Sequence, residues 1–330
     1  MPTDEPLTAG VDIGGTKVLA GTVDVDGQVH DLARLLTPHR SKEPRVVLDT
    51  IVEAVEVLRE RSTIAAVGVG AAGFVDAAGE RVLFAPHLSW RNEPLRERLE
   101  DRLGLPVHLD NDANATAWAE LCFGAARGRR HVLCLTLGTG IGGALVIDGG
   151  VFRGAHGMAG EFGHLQVVPD GRRCECGNRG CWEQYSSGNA LVREARELLE
   201  AESPVAVRLR ELVEGDPRRL TGPVVTQAAQ EGDRAAQEIL RGVGAWLGTG
   251  VAGLVAAFDP ELVVVGGGVS AAGDLLLGPA REALSRTLTG RGYRPEPPVV
   301  AAELGASAGM VGAASLVRGR LVPPGSDPPL

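Results

Sequence analysis

Short apolar runs that end in glycine recur along the chain and predict buried strands. LTAGVDIGGTKVLAGTVDV (7–25) has the pattern of a strand, a Gly-Gly turn and a second strand. The same pattern returns in VLCLTLGTGIGGALVIDGGV (132–151), and AAVGVGAAG (65–73) and ELVVVGGGVS (261–270) are further apolar runs with glycine loops behind them. The repeated hairpin predicts two related α/β domains that arose by internal duplication.

Between these strands, apolar residues spaced three or four positions apart predict helices. Val47, Ile51, Val55 and Leu58 give this spacing within 46–61. A further helix should follow LDNDANA, with Asp112 or Asn114 as its cap. We expect the remaining elements, a strand near 298–302 and helices over 93–103, 187–200, 204–256 and 305–318, from the same patterns. The proline-rich end at 321–330 predicts a disordered tail.

Composition narrows the class of protein. The 330 residues, 44% hydrophobic and 23% charged, suffice for two ordinary domains. The formal net charge of −9 argues against a nucleic-acid surface, so anionic ligands need capture by backbone amides or a metal. The first residues show neither the basic nor the apolar segment of a secretory signal, and the sequence has no unbroken apolar run of about 18 residues. We therefore expect a cytoplasmic protein with no nucleic-acid or membrane partner.

Three glycine loops are candidates for phosphate binding. Gly138, Gly140 and Gly143 match G-x-G-x-x-G, but a strand pattern follows them instead of the helix that a dinucleotide fingerprint requires. The sequence also lacks the P-loop and protein-kinase motifs. Glycine lets successive amides point at one anion. The residues that we expect at the nucleotide are Asp12, Gly14, Gly15, Thr16, Lys17, Gly138, Thr139, Gly140, Gly266, Gly267 and Gly268.

Three of the five cysteines, Cys174, Cys176 and Cys181, lie within eight positions. Inside a cell, such clusters are more often metal ligands or redox groups than structural disulfides. C-x-C is not the thioredoxin C-x-x-C, and an iron–sulfur cluster usually takes four cysteines. The two remaining cysteines fit core packing. Zinc takes four ligands, and His164, ten positions before Cys174, is the best nitrogen candidate.

Several motifs together resemble the ROK family of repressors, open reading frames and sugar kinases. They stand in the family's order and span most of the chain. The motifs are DIGGTK (12–17), LDNDANA (109–115), LGTGIGGALVIDGGVFRGAHGMAGEFGH (137–164), CECGNRGCWE (174–183) and VVGGGVS (264–270).

The resemblance implies an α/β, actin/hexokinase-like (ribonuclease H-like) duplicated two-domain fold with a central cleft. On that fold we expect a small domain from 1–110 together with about 303–320. A large domain from 111–302 should carry the zinc loop.

The sequence is most similar to family members that phosphorylate glucose. The resemblance implies ATP-dependent phosphorylation of D-glucose at the 6-hydroxyl, with ATP, Mg²⁺ and a structural Zn²⁺, in a homodimer or homotetramer. The alternatives are another ROK sugar kinase, for fructose, mannose, allose or an N-acetylhexosamine, and a sugar-responsive regulator. The family's repressors carry a helix-turn-helix domain before the first hairpin; here the first phosphate motif begins at residue 12, so we expect no such domain. A kinase that uses polyphosphate as its phosphoryl donor would be expected to have more basic residues at its cleft.

Roles for single residues also follow from the resemblance. It implies that Asp112 is the general base, that Asn111 binds the sugar, and that Asp12 lies near the metal and phosphates. A base of this kind contributes roughly 10²- to 10⁴-fold to the rate. Considered alone, Asp112 at the start of a helix also fits an ordinary cap.

The resemblance further implies a zinc site of His164, Cys174, Cys176 and Cys181. The implied sugar contacts, besides Asn111 and Asp112, are Gly73, Glu161, His164 and Glu183. Because the glycine loops lie elsewhere in the sequence, we expect loss of the metal to weaken sugar binding before nucleotide binding.

Overall fold

The computed structural model describes residues 6–15, 17–38, 43–86 and 88–321. Thr16 lies outside these residues, and so does the expected tail apart from Leu321. The strands of the described part are β1 (Leu7–Ile13), β2 (Lys17–Val23), β3 (Val29–Leu36), β4 (Ile64–Ala71), β5 (Phe74–Val75), β6 (Val82–Phe84), β7 (Arg91–Glu93), β8 (Val107–Asn111), β9 (Val132–Leu137), β10 (Ile141–Ile147), β11 (Gly150–Phe152), β12 (Leu262–Gly266) and β13 (Val299–Ala301). Its α-helices are α1 (Pro44–Arg59), α2 (Leu95–Leu103), α3 (Asp112–Phe123), α4 (Gly188–Glu200), α5 (Val207–Leu212), α6 (Gly222–Gln230), α7 (Arg234–Phe258), α8 (Asp274–Thr287) and α9 (Ala308–Leu321).

The chain forms two compact units, and the first is drawn from the residues up to 130, from 144–160 and from 303 onward. Its main sheet has the strand order β3-β2-β1-β4-β8. The strands β1, β2 and β3 pair in antiparallel fashion, whereas β4 is parallel to both β1 and β8. The parallel strands are short apolar runs that are buried on both faces, as such strands usually are.

The second unit is drawn from residues 131–143 and 161–302. Its strand β12 lies between β9 and β13 and is parallel to both. The strands β10 and β11 form an antiparallel hairpin, whose paired residues 145–147 and 150–152 belong to the first unit. A glycine hairpin and a set of parallel strands thus occur twice along the chain, in agreement with the repeated sequence pattern.

The observed division differs from the expected domains in two segments. Residues 111–130 and 144–160 were expected in the large domain, but both belong to the first unit. The first of these segments contains α3, which packs against α9. The second contains Arg153, whose guanidinium lies 2.6 Å from the Asp110 carboxylate. Both contacts join residues that are far apart in the sequence, so the apolar pattern could not indicate them.

Two strand glycines allow α9 to lie directly on the first sheet. A Cβ added to Gly10 would be 1.9 Å from the carbonyl oxygen of Met310, and one added to Gly68 would be 1.8 Å from that of Ala313. Any larger side chain at either position would push the helix away from the strands. This close packing fixes the N-terminus of α9 next to the end of β1.

Among the described residues, only α7 is long and apolar enough to satisfy the length and composition of a membrane span. No unbroken apolar run of this length was expected from the sequence, since glycines, Arg241 and Thr249 interrupt the apolar residues of α7. In the structure 56% of the most apolar part of α7 is buried. The helix packs against α6 and α8, and this position in the core of the second unit accounts for its apolar composition.

Candidate functional site

The polar corner after β8 places Asn111 and Asp112 at the start of α3. Asn111 is the N-cap, because its Oδ1 accepts from the N–H groups of Ala113 at 2.8 Å and Asn114 at 3.1 Å. The suggestion that Asp112 or Asn114 caps the helix is therefore wrong: the helix starts at Asp112, earlier than a cap at Asp112 or at Asn114 would allow. Asp112 is therefore not needed as the helix cap, which leaves a chemical role as the explanation for its carboxylate.

The side chain of Asn111 is largely occupied by structural hydrogen bonds. Its Nδ2 donates to the carbonyl oxygen of Gly73 at 3.1 Å, so the structure brings these two predicted sugar contacts together. Gly73 has no room for a side chain, since a Cβ there would be 2.5 Å from the Phe84 carbonyl oxygen. Both lone pairs of the Asn111 Oδ1 are used by the cap, which leaves one amide N–H for a ligand.

Asp12 lies at the end of β1, close to the first turn of α9. A Cβ on Gly309 would be 3.0 Å from the Asp12 carboxylate, so glycine at this position makes room for the acid. Burial and, to a smaller extent, the negative charge of Asp112 raise the pKa of Asp12, Lys17 opposes both effects, and the resulting pKa is about 7. Burial also raises the pKa of Asp112.

The charge of Asp112 is one of the causes that raise the pKa of Asp12, so the titrations of the two carboxylates are coupled. A carboxylate whose pKa has been raised is a stronger base than one exposed to water, which suits proton abstraction from an alcohol. Oxygen ligands of this kind are also those that Mg²⁺ prefers, and a cation would favour the ionised form of both Asp12 and Asp112.

An ion pair between the buried Asp110 and the half-buried Arg153 supports this corner. Arg153 donates to Oδ2 of Asp110 through Nε at 2.9 Å and Nη2 at 2.6 Å. The Oδ1 of Asp110 accepts from Nδ2 of Asn114 at 2.9 Å and from the N–H of Asn111 at 2.8 Å. Burial raises the pKa of Asp110, but the hydrogen bond from His108 and the interactions with Arg153 and Asn114 outweigh it and lower that pKa to about 2. Asp110 and Arg153 both lie within recognisable motifs, but nothing in the sequence indicates that they pair.

The first glycine turn joins β1 to β2. The N–H of Gly14 donates to the carbonyl oxygen of Lys17 at 3.0 Å, and Thr37 Oγ1 donates to the carbonyl oxygen of Gly14 at 2.8 Å. Gly15 is exposed at the tip. Thr37 was not predicted, because nothing in its sequence neighbourhood marks it as a partner of this turn.

The second and third glycine turns lie together in the second unit. In the turn Gly138–Gly140, the N–H of Gly138 donates to the carbonyl oxygen of Gly140 at 3.1 Å, and Thr139 is exposed. The third turn, Gly266–Gly268, follows β12. Its central residue has a φ of 84°, and a Cβ there would be 2.5 Å from the carbonyl oxygen of Leu137. The third turn therefore packs directly on the strand that leads into the second.

His164, Cys174, Cys176 and Cys181 form one cluster in the second unit, with ligand atoms that all lie within 4.8 Å of one another. The Cys174 Sγ is 3.6 Å from the His164 Nδ1, and the Cys176 and Cys181 sulfurs are also 3.6 Å apart. Tetrahedral zinc bonds of about 2.0–2.3 Å place neighbouring ligand atoms roughly 3.5–3.8 Å apart. The cluster therefore fits a zinc ion both in its donor set and in its spacing.

Two observations argue against a reactive thiol at this cluster. Burial raises the pKa values of the Cys174 and Cys181 thiols, whereas reactive cysteines have lowered pKa values. The Glu183 carboxylate is also adjacent, with its Oε1 3.0 Å from the Cys174 sulfur and 3.6 Å from the Nδ1 of His164. Because Nδ1 faces the cysteines, Nε2 is the ring nitrogen of His164 that remains for another partner. Glu161 begins the short 3₁₀ turn that ends at His164.

The predicted site residues divide between the two units, apart from Thr16, which is not described. The first unit holds Asp12, Gly14, Gly15, Lys17, Gly73, Asn111 and Asp112. The second holds Gly138, Thr139, Gly140, Glu161, His164, Cys174, Cys176, Cys181, Glu183, Gly266, Gly267 and Gly268.

Comparisons with known proteins agree with these features. The chain matches the ROK family over residues 8–320. A glucokinase from Streptomyces coelicolor is 47% identical over 312 residues, which cover 94% of this chain and 98% of that protein.

Among solved structures, a ROK family glucokinase from Streptomyces griseus in complex with glucose and AMPPNP is 47% identical, with a TM-score of 0.89 over 95% of this chain and 99% of that one. A ROK hexokinase from Thermus thermophilus is 34% identical, with a TM-score of 0.76 over 96% of this chain and 100% of that one. The fold is thus the actin-like fold of sugar kinases, and the chain belongs to the ROK family.

Proposed function

We propose that this chain is a glucokinase, which transfers the γ-phosphoryl group of ATP to the 6-hydroxyl of D-glucose. The observation that carries the proposal is its likeness to the Streptomyces griseus enzyme, whose structure contains glucose and AMPPNP and which is 47% identical to it. The paired carboxylates at the start of α3 and the end of β1 supply the chemistry that such a transfer needs.

In this mechanism Asp112 accepts the proton of the sugar hydroxyl as the hydroxyl oxygen attacks the γ-phosphorus, and the bond from that phosphorus to the bridging oxygen breaks to release ADP. The raised pKa of Asp112 makes its carboxylate a better acceptor near neutral pH. Asp12 and Lys17 lie on the side of the phosphates. Mg²⁺, when bound with ATP near Asp12, neutralises charge on the phosphate oxygens.

The backbone amides of the glycine turns hold the phosphates. A chain with a net charge of −9 has no general basic field, so it depends on local donors for an anion. We assign phosphate contacts to Gly14, Gly15, Thr16 and Lys17 in the first turn, and to the turns Gly138–Gly140 and Gly266–Gly268.

The zinc ion has a structural role. His164, Cys174, Cys176 and Cys181 would supply all four ligands of a tetrahedral zinc ion, which would leave no position for a metal-bound water nucleophile. Held in this way by the nitrogen that faces the cysteines, the imidazole of His164 would keep Nε2 for a sugar hydroxyl.

The other sugar contacts are assigned to carboxylates, an amide and a backbone group. Glu161 and Glu183 bind hydroxyls of glucose, and so do the remaining amide N–H of Asn111 and the backbone at Gly73. Buried polar groups of this kind select one pattern of hydroxyls, because a wrong pattern leaves them unpaired. We further propose that the protein is cytoplasmic, works as a homodimer or homotetramer, and has no nucleic-acid or membrane partner.

A substrate panel with ATP and a coupled assay for ADP tests the proposal. We expect kcat/KM for glucose to exceed that for fructose, mannose, allose and N-acetylmannosamine. The Asp112→Asn variant, purified in the same way, controls for contaminating kinases. The hexokinase from Thermus thermophilus favours a broader hexose kinase as the second candidate. A tenfold preference for another sugar would refute the glucose assignment.

A further inference from the structure

The start of α4 is bonded to the second glycine turn. The N–H of Gly188 donates to the carbonyl oxygen of Gly138 at 2.8 Å, and the N–H of Asn189 donates to that of Thr139 at 3.3 Å. The first N–H groups of a helix have no partner inside the helix. Here two of them fix successive carbonyl groups of the turn.

The planar geometry of the peptide group determines how these two hydrogen bonds orient the amides of the turn. In a planar trans peptide the C=O and the next N–H point in opposite directions. With the carbonyl groups of Gly138 and Thr139 directed at α4, the N–H groups of Thr139 and Gly140 point away from α4. Two consecutive amides that point the same way form an anion-binding nest.

The contact depends on the absence of a side chain at Gly188. A Cβ at this position would be 2.6 Å from the carbonyl oxygen of Gly138, so even alanine would displace the turn. Gly222, the first residue of α6, has open space around the same position. Helix geometry alone therefore does not require the glycine at 188.

The same segment is continuous with the metal cluster. Gly188 follows Cys181 by seven residues. Between them, Trp182 is fully buried and its Nε1 donates to the carbonyl oxygen of Trp246 in α7 at 2.8 Å. Ser186 Oγ donates to the carbonyl oxygen of Val243 at 3.0 Å. These hydrogen bonds hold the segment from the cysteine loop to the start of α4 rigidly against α7.

A second contact reaches the turn from the cysteine loop. A Cβ on Gly140 would be 2.2 Å from the Oε2 of Glu183, so the carboxylate lies directly against the turn. The other oxygen of Glu183 is adjacent to Cys174 and His164. The expectation that the cysteine loop and this turn are separate, which rested on their distance in sequence, is therefore wrong.

We propose that Gly188 and Asn189 are positioning residues for the nucleotide, and that the segment 181–189 transmits the order of the zinc cluster to the turn Gly138–Gly140. The inference rests on the proposed function, in which this turn holds phosphate. Loss of zinc then weakens nucleotide binding as well as sugar binding, with no nucleotide contact made by the metal.

Gly188→Ala tests the first part, with Gly222→Ala as its matched control. The Kd for AMPPNP is measured by calorimetry, beside the Kd for glucose, the zinc content and the melting temperature. We expect Gly188→Ala to raise the Kd for AMPPNP at least about tenfold, with one zinc retained and the Kd for glucose within about threefold of wild type. Gly222→Ala should bind both ligands as wild type does.

Asn189→Pro provides a second variant if Gly188→Ala does not fold. Proline is tolerated in the first turn of a helix, and α6 already begins with Gly222 followed by Pro223. The substitution removes the N–H that reaches Thr139. It should weaken AMPPNP binding by several-fold and leave glucose binding unchanged.

Cys176→Ala tests the link to the metal. With zinc absent by elemental analysis, we expect a weaker AMPPNP complex and faster hydrogen exchange at the amides of 138–140. An AMPPNP affinity within twofold of wild type in Gly188→Ala or in Cys176→Ala would overturn the inference, as would an equal loss of glucose affinity in Gly188→Ala. Failure of the proposed function would differ, since wild type itself would then not bind AMPPNP.

Discussion

The Asp12 carboxylate should make the ligand-free protein less stable as the pH rises from about 4 to 7. Burial and the neighbouring Asp112 raise its pKa from 3.8 to about 7 in the folded state. Between these two pH values the folded state binds more protons than the unfolded state, so stability falls as the pH rises. Below about pH 4 the group is protonated in both states and contributes nothing.

The size of the effect follows from the shift. About three pKa units at roughly 1.4 kcal/mol each give an upper limit of about 4 kcal/mol above pH 7. The charge of Asp112 contributes to the shift, so the penalty does not belong to Asp12 alone, and we take roughly 2–3 kcal/mol as its expected size. Asp12→Asn removes the charge and with it the penalty. For a unit of this size the melting temperature should rise by at least about 4 °C at pH 7.5 and should not change at pH 4.

The measurement is a set of melting curves between pH 4 and 8, without nucleotide, sugar or Mg²⁺, since a bound cation would itself offset the charge. Asp101→Asn, an exposed aspartate in the same unit, controls for the change in net charge. The Asn variant should be both more stable and inactive with ATP. An Asp12→Asn variant that is less stable than wild type at pH 7.5 would refute the reasoning. So would a variant whose melting temperature differs from that of wild type by the same amount at every pH.

Three further predictions follow. Asp112→Asn should lower kcat by at least about 100-fold and leave the Kd for glucose within about threefold; a kcat within tenfold of wild type would rule out the general base. Purified wild type should contain one zinc per chain by elemental analysis, and Cys176→Ala should contain none; a metal-free wild type purified without chelator would remove the zinc site. The fully buried Glu120 accepts from the N–H groups of Glu303 and Leu304. Glu120→Ala should therefore cost about 2–5 kcal/mol in chemical denaturation, and a loss below 1 kcal/mol would mean that water replaces the carboxylate.

Much of the fold was predictable because its strands and helices carry their own periodicity. The apolar run expected to be a strand at 65–73 is β4, and the spacing of Val47, Ile51, Val55 and Leu58 corresponds to the buried face of α1. The zinc cluster was also predictable, since its four ligands lie close in the sequence and their residue types are specific. In each case the information is local to a short stretch of chain.

The features that the sequence did not indicate depend on contacts between residues that are far apart in the chain. Glu120 binds backbone more than 180 positions away, and Arg153 reaches Asp110 across 43 positions. A buried carboxylate that accepts from backbone N–H groups leaves no pattern in the sequence of its partners. The identity of the cap was missed for a different reason: Asn111 and Asp112 are adjacent and both are good caps, so the choice depends on where β8 ends.

In each of the three glycine turns a hydrogen bond fixes the direction of a carbonyl group, a feature that only the structure reveals. Thr37 Oγ1 donates to the carbonyl oxygen of Gly14 at 2.8 Å, and Ser270 Oγ donates to that of Gly267 at 2.7 Å. The first N–H of α4 does the same for Gly138 at 2.8 Å. Fixing a carbonyl group also fixes the direction of the following N–H, because the peptide is planar. Glycine allows these turns to form but leaves them flexible. A chain without a general basic field needs its amide donors to be oriented before the anion binds, and in each turn hydrogen bonds from residues outside it provide that order.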